Sequence, residues 1–299
     1  MDLGLSVFLG LLQGATELFP VSSLGHAVVV PKLLHLNFDE GSDSFLAYLV
    51  LLHIGTALVL LWIYREDWRR IIAGFVRAGV RGEIRGPDER LAMHLALATV
   101  PTGVVAVFLQ KPLQKLFASP TPACFFLLVN ALILLGAEQL RRRDARRRLT
   151  AEASGAHAAG GDPGAREAEE ALYADVEGLS LRTAMLVGAC QMLALLPGIS
   201  RSGVTLAGGL LGGLRHEEAL RFAFLLATPI ILGAGLVSIP DLAAQGSGSL
   251  LNELAGTAVA ATAAYASARF LIRYFHVGRL EPYAAYCGVL GVVGLALAR

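Results

Sequence analysis

The chain predicts an all-α polytopic membrane protein built as an inverted-topology repeat, with about six transmembrane helices and two re-entrant helical hairpins. Three observations carry that expectation. Of its 299 residues, 55% are hydrophobic and only 16% charged, where an ordinary soluble domain is about 25% charged. Apolar runs recur along the whole length, and about 20 apolar residues suffice for one crossing of a bilayer. A polar motif near the N-terminus also returns, altered, 178 positions later (188 − 10).

Residues 45–64, 91–109, 123–140, 222–239, 254–272 and 283–298 are the expected spans. The arginines orient them. Seven fall within 65–90 and seven more within 141–180, six of these in the string RRRDARRR. Residues 110–120 hold only Lys111 and Lys115, residues 27–44 only Lys32, and residues 241–253 neither lysine nor arginine. Short loops rich in Lys and Arg stay cytoplasmic. The arginine-rich segments, with Arg269, Arg273 and Arg279 marking a third, are therefore expected inside and the others outside. The opening MDLGLSVFLG lacks the positive n-region of a cleaved signal peptide, so none is expected. Cys124, Cys190 and Cys287 lie in apolar stretches without metal-ligand spacing and are expected as buried thiols outside any disulfide framework.

GLLQGATELFPVSSLG, residues 10–25, aligns with GACQMLALLPGISRSG, residues 188–203. Gly10 meets Gly188, Gln13 meets Gln191, Leu18 meets Leu196, Ser22 meets Ser200 and Gly25 meets Gly203; further on, Gly55 meets Gly233. Each copy precedes three spans. Three is odd, so the second copy enters with opposite topology, and such inverted repeats build their sites near the midplane from broken helices. The segments are broken by Pro20 and by Pro197-Gly198: proline removes a helix donor and glycine permits unusual backbone angles. Two re-entrant hairpins are expected, one from each face, their tips meeting inside the bundle, because irregular backbone at that depth must be buried in protein or line a cavity. The expected organisation is a first repeat over 1–140, a basic, flexible cytoplasmic linker over 141–180, and a second, inverted repeat over 181–299. Within the linker, the Ala/Gly/Glu-rich stretch 151–170 has no apolar period, and its His157 has no expected role.

The motif segments also hold the polar residues. An ionised Glu or Arg near a helix centre costs about 2.5–3.5 kcal/mol on insertion scales, so Glu17 of one hairpin and Arg201 of the other are expected as neighbours. A buried ion pair that merely locks the repeats together is the plainer reading. Against it stands the company the pair keeps. PGISRSGVT groups Ser200, Arg201, Ser202 and Thr205 around Gly198 and Gly203. Hydroxyls and backbone N–H groups at a glycine-containing helix start suit an anion, and arginine matches phosphate oxygens in a bidentate fork. Facing it, PVSSLGH supplies Ser22, Ser23 and His26; both serines are also ordinary helix caps, and His26 is equally a core histidine bonded to a carbonyl.

QGATELFPVSSLGH and LLPGISRSGVTLAGG, in this order and at this separation, resemble the two signature segments of the undecaprenyl-diphosphate phosphatase family, the bacitracin-resistance proteins, over essentially the whole chain. The resemblance implies a membrane enzyme that hydrolyses undecaprenyl diphosphate to the monophosphate and inorganic phosphate, recycling the lipid carrier for cell-wall synthesis. It implies the bacterial cytoplasmic membrane. The repeat gives both faces an entrance, and the active site is expected to open to the outer side, where the Glu17–His26 hairpin enters. The resemblance also implies a divalent cation, Mg2+ or Ca2+; partners limited to the lipid substrate and membrane lipid, with no nucleic acid; and it leaves a homodimer open. By motif, Glu17 resembles the essential glutamate and a metal ligand, Ser23 the candidate nucleophile, His26 the histidine beside it and Arg201 the phosphate clamp. Ser22, Gly198, Ser200, Ser202, Gly203 and Thr205 resemble its substrate-binding support.

One position departs from the family pattern. Gln13 stands where many members carry a second glutamate, E-G-x-T-E. It can be neither a base nor a charged metal ligand, but one helical turn before Glu17 it can donate a hydrogen bond to that carboxylate or to phosphate. Two routes stay open. Ser23 attacks the terminal phosphorus with Glu17 or His26 as base, or one of those residues activates water and Ser23 only binds. The competing function is an inverted-repeat transporter or flippase that moves an anionic lipid or small anion uncleaved.

Overall fold

Backbone in lipid must satisfy its own hydrogen bonds, and helices do so within one segment. The computed structural model describes residues 2–36, 43–117, 120–153, 171–237, 250–276 and 278–297. Its helices are α1 Leu3–Thr16, α2 Ser23–Leu33, α3 Asp43–Ile63, α4 Arg65–Arg81, α5 Pro87–Phe117, α6 Pro120–Ala153, α7 Leu181–Leu193, α8 Arg201–Leu211, α9 His216–Val237, α10 Leu250–Tyr274 and α11 Glu281–Leu297. A 3-10 turn covers Val176–Gly178. Among the described residues there is no strand, only an isolated bridge between Ala174 and Leu214.

Among the described residues, four helices contain stretches long and apolar enough to cross a membrane: Phe45–Ile63, Pro87–Leu109, Pro120–Thr150 and His216–Val237. The other two expected spans are occupied by α10 and α11, which fall outside that group for different reasons. α11 is short, at 17 residues. α10 has 25 residues, but its middle is built from Ala, Gly, Ser and Thr. Those small residues serve packing, as is usual between membrane helices. A Cβ on Gly10 or Gly14 of α1 would collide with the carbonyl of Gly256 or Ala260 on α10.

Two further differences concern the basic segments. The stretch after α3, expected as a loop, is the amphipathic helix α4. It packs Ile71 and Gly74 inward and leaves Ile72, Phe75, Val76 and Val80 exposed beside Arg70, Arg77 and Arg81. The third span continues through the arginine string to Ala153, so the first part of the expected linker is helical; residues 154–170, with His157, lie outside the described residues, and 171–180 carry the Ala174 bridge and the 3-10 turn. All these basic segments gather at one end of the bundle. Arg70 lies 3.8 Å from Glu177, Arg142 2.5 Å from Glu281 and His276 3.0 Å from Glu217, and Arg221 pairs with Asp67.

α1 and α2 have 14 and 11 residues, α7 and α8 have 13 and 11. At 1.5 Å per residue the longest is about 21 Å, short of the roughly 30 Å hydrocarbon core, so each pair turns back inside the bundle. The two turns are built alike. Ser22 caps α2 by accepting from Gly25 N at 3.3 Å, and its counterpart Ser200 caps α8 by accepting from Gly203 N at 3.1 Å. The tips then touch reciprocally: a Cβ on Gly25 would lie 3.4 Å from Gly198 Cα, and one on Gly203 3.3 Å from Pro20 Cβ. Asn130 of α6 ties them together, accepting from Ser200 N at 3.1 Å and donating to Pro20 O at 3.1 Å.

Gly198 has no substitute here. Its φ is +94°, and a Cβ would collide with Ala123 O and lie 2.9 Å from Leu127 N. The left-handed conformation alone costs a side chain roughly 1–2 kcal/mol, and the collision adds to it. Gly198→Ala is expected to lower the unfolding temperature in detergent by at least 5 °C, the shift of about 2 kcal/mol or more; an unchanged transition would mean that the second tip does not press against α6.

Candidate functional site

Glu17 follows the last residue of α1, at the first tip, and is 7% exposed. Everything at the site is arranged about its carboxylate. Gln13, one turn earlier on α1, donates from Nε2 to Oε2 at 3.0 Å. Ser23, the first residue of α2, donates from Oγ to the same oxygen in a very short hydrogen bond. Arg201, the first residue of α8, donates from Nη2 to Oε1 at 2.5 Å. Ser23 and Arg201 are 178 positions apart (201 − 23), so they are repeat counterparts. Each directly follows a capping serine, and the near-symmetry of the tips sets hydroxyl and guanidinium on either side of one carboxylate. The starts of α2 and α8 converge there too, and helix starts carry partial positive charge.

A fourth donor comes from α3. His53 Nε2 lies 3.2 Å from Glu17 Oε2, and its Nδ1 lies 2.6 Å from Leu49 O. The carbonyl only accepts, so Nδ1 carries a hydrogen; the second contact then needs a hydrogen between Nε2 and the carboxylate. His53 was missed in the sequence, where it stands alone in LVLLHIGT. The available signal was its type, since an ionisable residue inside a span marks a site by default. Asn130, a polar but not ionisable residue, gave a weaker signal of the same kind in the third span.

The other expected residues divide between chemistry and scaffold. His26 is buried, and both its ring nitrogens are bonded to partners other than the Ser23 hydroxyl. Nδ1 donates to Ser22 O at 2.7 Å, and Nε2 accepts from the Tyr286 hydroxyl at 2.8 Å, a partner on α11 that sequence reasoning also missed. Its bond to the carbonyl one turn back fixes the ring on the α11 side of α2. Ser22 has φ 69°, a strained conformation for a side chain and one found mostly at functional positions. Here it turns the chain so that Ser23 faces Glu17.

The hydroxyls expected to support phosphate are engaged in holding Arg201. Ser200 and Ser202 donate to Phe19 O across the tips, at 3.3 and 2.8 Å. Thr205 donates to Arg201 O at 2.7 Å. Gly198 and Gly203 make the close approach of the tips. Two buried side-chain atoms of the carboxylate cluster have no partner among the described residues: Arg201 Nη1, a donor, and Gln13 Oε1, an acceptor.

The donor set does not fit a resident divalent cation. Mg2+ and Ca2+ take about six or more oxygen ligands. Both oxygens of Glu17 already accept protein donors, two of them basic side chains, and Gln13 adds only a neutral amide oxygen. Among the described residues no group of three or more His, Cys, Asp or Glu side chains is placed to hold a metal.

Long apolar helices closed over two half-depth hairpins, with a carboxylate, a guanidinium, an imidazole and a serine joined at their tips, define a multi-pass membrane protein with a buried charged centre inside its bundle. Comparison with known proteins gives the family. Residues 6–293 match the family model described as "Bacitracin resistance protein BacA", and the chain belongs to that family. It is 42% identical over 299 residues to the "Undecaprenyl-diphosphatase" of Acidiphilium cryptum (strain JF-5), spanning 98% of this chain and 97% of that one. It is 44% identical over 297 residues to the protein of the same name in Mycobacterium avium (strain 104), spanning 97% and 95%. To "Undecaprenyl-diphosphatase 2" of Frankia alni (strain DSM 45986 / CECT 9034 / ACN14a) it is 41% identical over 332 residues, spanning 97% of each.

Proposed function

We propose that the chain is an integral membrane undecaprenyl-diphosphatase. It hydrolyses undecaprenyl diphosphate to undecaprenyl phosphate and inorganic phosphate, and so recycles the lipid carrier for cell-wall synthesis. The observation that carries the reading is Glu17 held between Arg201 and the Ser23 hydroxyl at two converging helix starts. The family and the names of its relatives support it, and a transporter reading has no comparable support.

The geometry favours attack by Ser23. Its hydrogen already points at Glu17 Oε2, the arrangement of a nucleophile beside its base. Arg201 Nη1 and the N–H groups of the helix starts take the oxygens of the terminal phosphate, supplying the positioning and charge neutralisation that phosphoryl transfer needs. As the Ser23 Oγ–P bond forms, its proton passes to Glu17. The bond from the terminal phosphorus to the bridging oxygen breaks, and its electron pair stays with undecaprenyl phosphate, which takes that proton from Glu17. Water then attacks the phosphoserine, gives a proton to Glu17, and Glu17 returns one to Ser23 Oγ as phosphate leaves. On this reading Gln13 Oε1, buried without a partner among the described residues, accepts from that water.

The site is read as opening on the outer side of the bacterial cytoplasmic membrane. What supports this is the position of α1 and α2, which start and end away from the arginine-rich end of the bundle, together with the preference of such segments for the cytoplasm. The isoprenoid tail stays in lipid while its head enters between the tips.

The test is phosphate release from a polyprenyl diphosphate by the detergent-purified protein. Arg201→Lys keeps the charge but loses the planar fork, and its kcat/KM is expected to fall about 100-fold, the scale of losing one preorganised transition-state donor. Wild type that releases no phosphate, yet moves the lipid intact across proteoliposomes, would make the protein a carrier.

A further inference from the structure

The centre differs from the two-glutamate pattern at Gln13, and the structure supplies what compensates. A glutamine in place of the second glutamate removes one negative charge. His53 fills a place beside the Glu17 carboxylate, its Nδ1 on Leu49 O and its Nε2 3.2 Å from Glu17 Oε2.

Coordination leaves no place for a cation beside it. Glu17 accepts Arg201 on one oxygen and Gln13, Ser23 and His53 on the other. A cation bound there would have to displace Arg201 or His53 from the carboxylate. We propose that no divalent ion resides at Glu17 and that the chain holds its diphosphate substrate with its own donors, Arg201 foremost. His53 is on this view a positioning residue: it holds Oε2 toward Ser23 and occupies the place of a metal.

The inference rests on the phosphatase reading for its consequences but not for its test. Purified wild type, Glu17→Gln and the double variant Gln13→Glu/His53→Gln are each titrated with Mn2+ and bound ion is read by electron paramagnetic resonance, without substrate. Phosphate release is measured alongside, in excess chelator and after returning Mg2+. Wild type is expected to bind no more Mn2+ than Glu17→Gln, and its phosphate release to change by less than about three-fold on chelation. The double variant rebuilds a paired carboxylate and is expected to bind one Mn2+ and, where it turns over, to lose roughly ten-fold or more on chelation.

Stoichiometric Mn2+ on wild type that disappears in Glu17→Gln overturns the proposal, as does a ten-fold loss of release restored by Mg2+. A wild type that releases phosphate under no condition overturns the phosphatase reading instead, and the Mn2+ signal still decides whether Glu17 holds a metal.

Discussion

Glu17→Gln is expected to lower kcat about 1,000-fold, within the range lost when a positioned general base is removed, while also destabilising the protein. Both effects have one origin. Among the described residues the carboxylate is the only anion joined to Arg201 Nη2 and His53 Nε2, and removing one partner of a buried charged cluster costs about 3–5 kcal/mol because the other is left uncompensated. The variant should therefore unfold at clearly lower temperature in detergent. Removing a cation as well, in Glu17→Gln/His53→Gln, should recover part of that stability and none of the activity. Phosphate release and an unfolding curve, measured on the same three preparations, separate the two roles. Activity retained in a destabilised Glu17→Gln would reduce the carboxylate to a structural tether.

Ser23→Ala is expected to behave differently: kcat down by about 1,000-fold or more, stability lower by only about 1 kcal/mol, the usual net contribution of one hydrogen bond. The Glu17 oxygen that loses Ser23 keeps Gln13 and His53 as donors, so no acceptor is orphaned. The hydroxyl is not needed as a cap either, since Ser22 does that work. With substrate labelled in its terminal phosphate, acid quenching should trap label on wild type and none on Ser23→Ala. Turnover above a tenth of wild type would hand the attack to water and leave Ser23 a binding role.

Much of this arrangement was legible because membrane burial is so costly for particular side chains. Glu17 and Arg201, set in apolar stretches broken by proline and glycine, had to find each other, and they do. The equivalence of Ser22 with Ser200 and of Gly25 with Gly203 emerged from spacing alone, and the structure gives both pairs the same capping bond. The hydroxyls of Ser200, Ser202 and Thr205 were harder. A serine near a phosphate motif and a serine that closes a turn look identical in sequence. Only the tertiary structure brings the Phe19 carbonyl, 183 residues before Ser202, to the Ser200 and Ser202 hydroxyls, while Thr205 bonds to Arg201 O on its own helix. α4 was hidden by its arginines: its exposed apolar positions recur every three or four residues, but the charge between them reads as loop.

The amino-acid sequence by itself determined that the chain belongs in a membrane, where it breaks, and which charged residues must be neighbours, because hydrophobic transfer and insertion energies depend on residue type and local order. Only the tertiary structure decided which groups reach the Glu17 carboxylate. Each residue along a helix turns the side chain by about 100°, so whether His53 faces Glu17 or lipid, and whether His26 faces Ser23 or Tyr286, depends on how each helix is rotated against its neighbours. That rotation is set by contacts such as Gly10 on Gly256 and Gly198 on Ala123, which join residues far apart in the chain.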